Sequence, residues 1–226
     1  MIIEPTRRHF AVGVDLGKAA ETTAIAVAER LNPSGWDGLR ECPPEKARLQ
    51  VRQLRRFPPG TYYREIGKGL AEVLKSVELT ATKEHADSGA LGRIIARVDL
   101  IVDQTVVGTP VTDMILREAG VLSARRVAIS GNQAETSSDG IDRIPKQTLI
   151  GGLEVLLETG RLKIAESLPA AQQLADELVN YRGRKTPNAP LTVDTWRELQ
   201  NDDLLFAVAI ATHELTRPQF TYEFYY

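Results

Sequence analysis

Acidic side chains stand at three separated places in this sequence, each at the edge of a predicted element. Asp15 lies near the end of an apolar run, Asp103 ends a second apolar run, and Asp202 and Asp203 precede an alanine-rich segment. Carboxylate oxygens are the ligands that Mg²⁺ and Mn²⁺ prefer in proteins. Gathered in the fold, these acids could hold two such ions about 4 Å apart and activate water against a phosphodiester.

Each acid also has a purely structural explanation. Asp15 could simply hydrogen-bond the turn that follows it, and the residues alone leave both roles open. A carboxylate at the end of a buried strand, such as Asp103, is costly without a partner, which favours a functional role. Asp99 precedes it by four residues, or about 13 Å, too far to share an ion, so we interpret Asp99 as structural. Asp202 is expected to cap the last helix and to lie in the metal site beside Asp203, which is expected to bind the metal.

The composition excludes several classes of protein. Of the 226 residues, 42% are apolar and 26% charged, as in an ordinary globular protein. No apolar run approaches the roughly 20 residues of a membrane span, and no secretory signal is visible. The single cysteine, Cys42, excludes internal disulfides and cysteine metal clusters, so a cytoplasmic setting is expected. With a formal net charge of −2, binding to nucleic acid would need a local basic patch or a bound metal.

The pattern of apolar residues predicts one mixed α/β domain over residues 1–226. The first three strands are expected to be antiparallel, the later ones parallel, and helices are expected to cover the sheet. The predicted strands cover 9–17, 21–30, 47–57, 93–103, 125–130 and 162–165. The predicted helices cover 62–77, 111–119, 145–158, 169–181 and 203–215. The remaining predictions are loops at 79–92 and 133–143, a helix start at Thr109 and Pro110, and a hairpin-like excursion at 182–201.

Five segments together resemble RNase H-like metal nucleases, and more narrowly the nuclease domain of terminase large subunits of phages and prophages. The segments are VGVDLG (12–17), RFPPGTYYREI (56–66), IVDQTVVGTPVTDMI (101–115), IPKQTLIGGLEVLLETGRLKI (144–164) and NDDLLFAVAIA (201–211). The resemblance implies an RNase H-like mixed β-sheet in which Asp15, Asp103 and Asp203 are the metal-binding, catalytic acids. It also implies an endonuclease that uses Mg²⁺ or Mn²⁺ and acts on double-stranded DNA, as in DNA packaging.

The sequence departs from the family pattern in two ways. Asn201 stands where such motifs often have His, and Phe206 stands where some relatives have a further acid, which leaves the second metal ion in question. The phosphate-binding pattern GxxxxGK[ST] of a packaging motor is missing from the sequence. We therefore expect a nuclease domain that stands alone or works with a separate packaging ATPase, small terminase subunit or portal. Its expected location is the cytoplasm of a bacterial host, encoded by a phage or prophage.

Basic residues are expected to contact DNA phosphates at two places. These are Lys146, at a predicted helix start, and the cluster formed by Arg182, Arg184 and Lys185. The basic residues on and after the third predicted strand are interpreted as solvated surface; they are Arg48, Arg52, Arg55 and Arg56.

Two other classes of function remain open from the sequence. A catalytically silent RNase H-like module could serve as a docking or assembly subunit if metal binding is weak. An actin-like or sugar-kinase-like ATPase also begins with a strand ending in Asp-Leu-Gly, as residues 15–17 do. That class needs a second phosphate loop and a second similar domain, for which 226 residues are too few.

Overall fold

A computed structural model describes residues 6–31, 43, 46–87, 94–132, 134–183 and 202–217. Its strands are β1 (Thr6–Asp15), β2 (Thr23–Leu31), β3 (Arg48–Phe57), β4 (Ile94–Asp103), β5 (Arg125–Ser130), β6 (Thr136–Ser138), β7 (Ile141–Pro145) and β8 (Leu162–Ile164). Its helices are α1 (Tyr63–Asp87), α2 (Gly108–Glu118), α3 (Lys146–Glu158), α4 (Ala171–Gly183) and α5 (Asp203–Thr216). Within these residues, no helix is long and apolar enough to cross a membrane.

The strands form one mixed sheet in the order β6-β7-β5-β4-β1-β2-β3-β8. The first three strands pair antiparallel, whereas β4 pairs parallel with β1, and β5 pairs parallel with β4. This order and these directions confirm the predicted RNase H-like mixed sheet. Because β1, β3 and β4 run the same way, they end at one edge of the sheet, at Asp15, Phe57 and Asp103. We refer to it as the carboxyl edge.

The sheet has an apolar cluster on each face. Along β1, Phe10, Val12 and Val14 pack with α1 and α2, whereas Ala11 packs with α3, α4 and α5. This alternation follows from the two-residue period of a strand. By the same parity, Asp15 at the end of β1 lies on the face covered by α5.

Helix α5 lies against the backbone of β1, and Gly13 makes this close approach possible. A Cβ atom at Gly13 would lie 2.2 Å from the carbonyl oxygen of Ala207 and 2.9 Å from the amide nitrogen of Ala211. Both of these atoms belong to the backbone of α5, so neither can rotate away. The absent side chain therefore sets the position of α5 and of Asp203, its first residue.

The predictions for the loops 79–92 and 133–143 and for the start of α2 are wrong. Helix α1 continues through part of the predicted loop 79–92 to Asp87. The predicted loop 133–143 contains the hairpin β6–β7, whose turn residues Asp139 and Gly140 have φ of 56° and 72°. An Asp-Gly pair with positive φ is a preferred two-residue hairpin turn, so the signal was present in the sequence. Helix α2 begins at Gly108 without a side-chain cap, rather than with a cap at Thr109.

The predicted excursion at 182–201 falls mostly outside the described residues. The backbone of residues 182 and 183 belongs to α4.

Candidate active site at the carboxyl edge of the sheet

Two of the predicted acids lie side by side. Asp15 and Asp103 are direct partners in the parallel register of β1 and β4, and neighbouring strands are about 4.8 Å apart. Asp103 is 4% exposed. Its Oδ1 accepts hydrogen bonds from the amide and the hydroxyl of Thr105, at 2.9 and 2.5 Å. The hydroxyl oxygen of Thr105 also accepts the amide of Ile129, at 2.7 Å, so Asp103 is fixed to β5 as well.

The register partners Asp103 and Asp15 belong to a row of paired residues that crosses the sheet and ends at Arg56. Asp15 pairs with Ala24 on β2, and Ala24 pairs with Arg56 on β3. Residues paired across neighbouring strands point to the same face of the sheet. Because the side chain of Ala24 is small, it leaves room between the carboxylate of Asp15 and the guanidinium of Arg56.

Asp203 meets this row from the start of α5. Its Oδ2 accepts a hydrogen bond from Nη2 of Arg56 at 2.9 Å and another, short one from the hydroxyl of Thr22. Thr22 stands directly before β2, so both donors come from the sheet side of the site. The carboxylate of Asp203 is therefore held at the carboxyl edge together with Asp15 and Asp103.

A fourth carboxylate, which the sequence analysis did not identify, comes from α4. The side chain of Glu177 is 4% exposed. Its Oε2 accepts the backbone amide of Leu205 at 2.9 Å, and its Oε1 lies 3.5 Å from Nη1 of Arg56. Glu177 and Asp203 thus share one guanidinium.

Glu177 also corrects the predicted capping of α5. Asp202 has the N-cap position but makes no side-chain capping hydrogen bond. The amide of Leu205, in the first turn of α5, is instead satisfied by the carboxylate of Glu177. The predicted cap by Asp202 is wrong because a buried acid on another helix already accepts this bond. Local sequence cannot show a cap that comes from 28 residues away.

The acids together carry more negative charge than Arg56 offsets. Burial raises the pKa of Asp15 well above its usual range, and the charges of Asp103 and Asp203 raise it further. Burial also raises the pKa of Glu177 to about 7, although the amide of Leu205 and the charge of Arg56 oppose the shift. The pKa of Asp203 is raised because burial outweighs its bonds to Arg56. Such clustering of perturbed carboxylates is typical of functional sites.

The donor set suits a hard divalent cation. Carboxylate oxygens from β1, β4, α4 and α5 are the ligand type that Mg²⁺ and Mn²⁺ prefer. Among the described residues, no three His, Cys, Asp or Glu side chains are grouped closely enough to hold an ion as they stand. The side chain of Arg56 lies against two of the acids, so metal binding would require these side chains to rearrange.

One predicted DNA contact lies at the same edge. Lys146 begins α3, directly after β7 ends at Pro145. Its ammonium group lies 5.0 Å from the ring centre of Phe206 and 5.2 Å from that of Tyr181, so two aromatic rings position it. Phe206 is 6% exposed and contributes to this support.

The side chains of the other predicted DNA contacts lie outside the described residues. Arg182 lies in α4 five residues after Glu177, and its side chain is outside the described residues. Arg184 and Lys185 lie wholly outside them.

Comparison with known proteins finds matches among solved structures. No protein-family model matches the chain. No curated protein matches it either. The Mn-soaked nuclease domain of the human cytomegalovirus terminase is similar over 90% of this chain and 81% of that chain, with a TM-score of 0.47 and 14% identity. The large terminase nuclease of the thermophilic phage G20c is similar over 94% of this chain and 87% of that chain, with a TM-score of 0.43 and 16% identity.

The chain is similar in fold to terminase nuclease domains. The likeness is one of fold, and the assignment of the RNase H-like sheet rests on the strand order and directions of this chain itself.

Proposed function

We propose that the chain is a divalent-metal-dependent endonuclease that hydrolyses DNA phosphodiester bonds. The convergence of four carboxylates at the carboxyl edge supports this most directly. Asp15 and Asp103 are register partners, Asp203 opens α5 beside them, and Glu177 shares a guanidinium with Asp203. An assembly of this kind costs folding free energy, because burial and mutual repulsion raise the pKa values of Asp15, Asp203 and Glu177. Such a cost is reasonable where the acids serve a cation.

In this proposal Asp15, Asp103 and Asp203 hold Mg²⁺ or Mn²⁺, with Asp202 and Glu177 as additional ligands. The metal, when bound, supplies an activated water and stabilises the leaving oxygen. The chain's own residues orient the ligands: Thr105 fixes the carboxylate of Asp103, and the start of α5 fixes that of Asp203.

A site for two ions is part of the proposal. Phe206 stands where some members of the resembled family have an acid. One carboxylate fewer at the site argues against a second ion. Glu177 supplies a fourth carboxylate from a different helix. The count of acids at the carboxyl edge therefore supports two ions despite the aromatic residue at Phe206.

Double-stranded DNA is the proposed substrate. The net charge of the chain is −2, so DNA must be held by local cations. Lys146, supported by two aromatic rings at the carboxyl edge, is the proposed phosphate contact, and Arg182, Arg184 and Lys185 are proposed to add to it. A separate packaging ATPase, small terminase subunit or portal is the proposed partner.

Cleavage of a supercoiled plasmid tests the function. We expect the purified chain to nick or linearise the plasmid in Mn²⁺ or Mg²⁺ and not in EDTA. Asp15→Asn and Asp203→Asn should lower the rate at least about 100-fold, because each variant loses a charged metal ligand. Asp139→Asn is the matched control, since Asp139 lies in the exposed β6–β7 turn and Asn also tolerates its positive φ of 56°.

Absence of cleavage by the folded wild-type chain in every metal would refute an autonomous nuclease. The catalytically silent docking module would then account for the fold. Cleavage that persists in both Asn variants would contradict the assignment of Asp15 and Asp203 as metal ligands.

A further inference from the structure

Arg56 occupies a place where its charge can act on two of the site's acids at once. Its Nη2 lies 2.9 Å from Oδ2 of Asp203, and its Nη1 lies 3.5 Å from Oε1 of Glu177. Its side chain is 20% exposed. The guanidinium therefore joins α5 and α4 to β3 at a partly buried position, where ion pairs are screened less than on the surface.

The position of Arg56 follows from the register of the sheet. Arg56 pairs with Ala24, which pairs with Asp15. The neighbouring residue on β3, Arg55, faces the opposite side, where it bonds Glu72 at 2.7 Å and the carbonyl of Gly69 at 3.2 Å. The two consecutive arginines thus have different environments: Arg56 contacts acids at the carboxyl edge, and Arg55 contacts α1.

We propose that Arg56 is a positioning residue that acts as a built-in counter-cation. It holds the carboxylates of Asp203 and Glu177 together in the metal-free chain, and a divalent ion competes with it for these two acids. This inference rests on the proposed function, because it assumes that the acids bind metal. Beyond that function, the inference states that Arg56, a residue of the chain itself, competes with the ion for these acids.

The chemistry of the pair supports competition. A divalent cation and a guanidinium both favour ionised carboxylates, and Asp203 has one carboxylate to offer to either. An ion bound at Oδ2 of Asp203 has to replace the hydrogen bond that Arg56 donates to this oxygen, and this replacement weakens the measured metal affinity. Removal of Arg56 should therefore destabilise the metal-free chain and strengthen its binding of metal.

A double-mutant cycle in EDTA tests the positioning role. Arg56→Gln should lower the melting temperature by roughly 5 °C, because the buried carboxylate of Glu177 and the partly buried carboxylate of Asp203 lose their cation. In an Asp203→Asn background the same substitution should cost less than half as much, since one of the two carboxylates is then neutral. Arg55→Gln is the matched control and should show equal effects in the two backgrounds. Equal effects of Arg56→Gln in both backgrounds would overturn the proposal.

Calorimetric titration with Mn²⁺ alone tests the competition. Arg56→Gln should bind Mn²⁺ roughly five- to tenfold more tightly than wild type, a factor typical of coupled binding. Arg55→Gln should bind it as wild type does. Arg56→Lys keeps the charge but loses the fork that spans two acids, so its affinity should fall between those of wild type and Arg56→Gln. This second variant also decides the question if Arg56→Gln does not fold.

The possible failures are distinguishable. Unchanged or weaker binding of Mn²⁺ by Arg56→Gln would overturn the competition, because Arg56 would then prearrange the ligands rather than compete for them. If wild type and all variants fail to bind Mn²⁺, the metal site of the proposed function is refuted together with the competition for it, even where the cycle in EDTA shows coupling.

Discussion

At the scale of single residues, the sequence predicts a functional side chain only where its neighbours along the chain make that side chain unusual. Asp15 and Asp103 each end a run of apolar residues, and a carboxylate there is conspicuous because it is costly to bury. Arg56 and Glu177 have no such signal. Arg56 follows three other basic residues of β3, and Glu177 lies in a helix with many polar residues. Their roles come from tertiary contacts with α5, which local patterns do not encode.

Glu177 leads to a prediction about pH. Its pKa is raised to about 7 in the folded chain from an ordinary value of 4.5. The folded state therefore holds this proton more tightly than the unfolded state. Stability without metal should accordingly fall as pH rises from about 4.5 to about 7, by on the order of 2 kcal/mol for this group. The raised pKa of Asp15 acts in the same direction.

Urea unfolding in EDTA near pH 5 and pH 8 measures this effect. The lowered pKa of His213 acts in the opposite direction in part of the same window, so the comparison needs a variant. Glu177→Gln keeps an oxygen for the amide of Leu205 but cannot ionise, and it should lose less stability than wild type between the two pH values. An equal loss in both proteins would contradict the assigned pKa shift.

At the scale of elements, the sequence predicts the positions of helices and strands well wherever the periodic pattern of apolar residues continues over many residues. Strands β1 to β4 and helices α3 and α5 match the predicted segments closely. The hairpin β6–β7 was missed because its strands are short, and its three-residue β6 is fully exposed. Helix α1 was predicted to end too early, since residues 79–87 lack the apolar period that marks residues 66–77.

The close packing of α5 on β1 gives a prediction at this scale. Gly13→Ala places a Cβ against two backbone atoms of α5, so we expect a loss of about 3 kcal/mol in stability from overpacking. The matched control is Gly151→Ala in α3, where a Cβ meets nothing within 4 Å. Ala favours helix, so the control should be as stable as wild type or more stable, by up to about 1 kcal/mol. Urea midpoints compare the three proteins, and a Gly13→Ala chain as stable as wild type would refute this explanation of the glycine.

At the scale of the whole molecule, the sequence predicted the kind of sheet more reliably than its full extent. The antiparallel pairing of β1 with β2 follows from the short connection between them, and the parallel direction of β4 follows from the connecting helix α1. The attachment of β8 beside β3 does not, because a three-residue strand that pairs with a distant partner leaves no local signal. The local sequence likewise gives no signal for the fourth carboxylate of the site. Glu177 reaches the carboxyl edge only because the fold packs α4 there.

The central claim is that the carboxyl edge of this sheet is a divalent-metal site. Anomalous diffraction from a crystal soaked in Mn²⁺ tests it most directly. We expect a manganese peak in contact with the carboxylates of Asp15 and Asp103, with Asp203 turned from Arg56 towards the ion. A crystal with no manganese at this edge, and with Asp203 still bonded to Arg56, would contradict the claim.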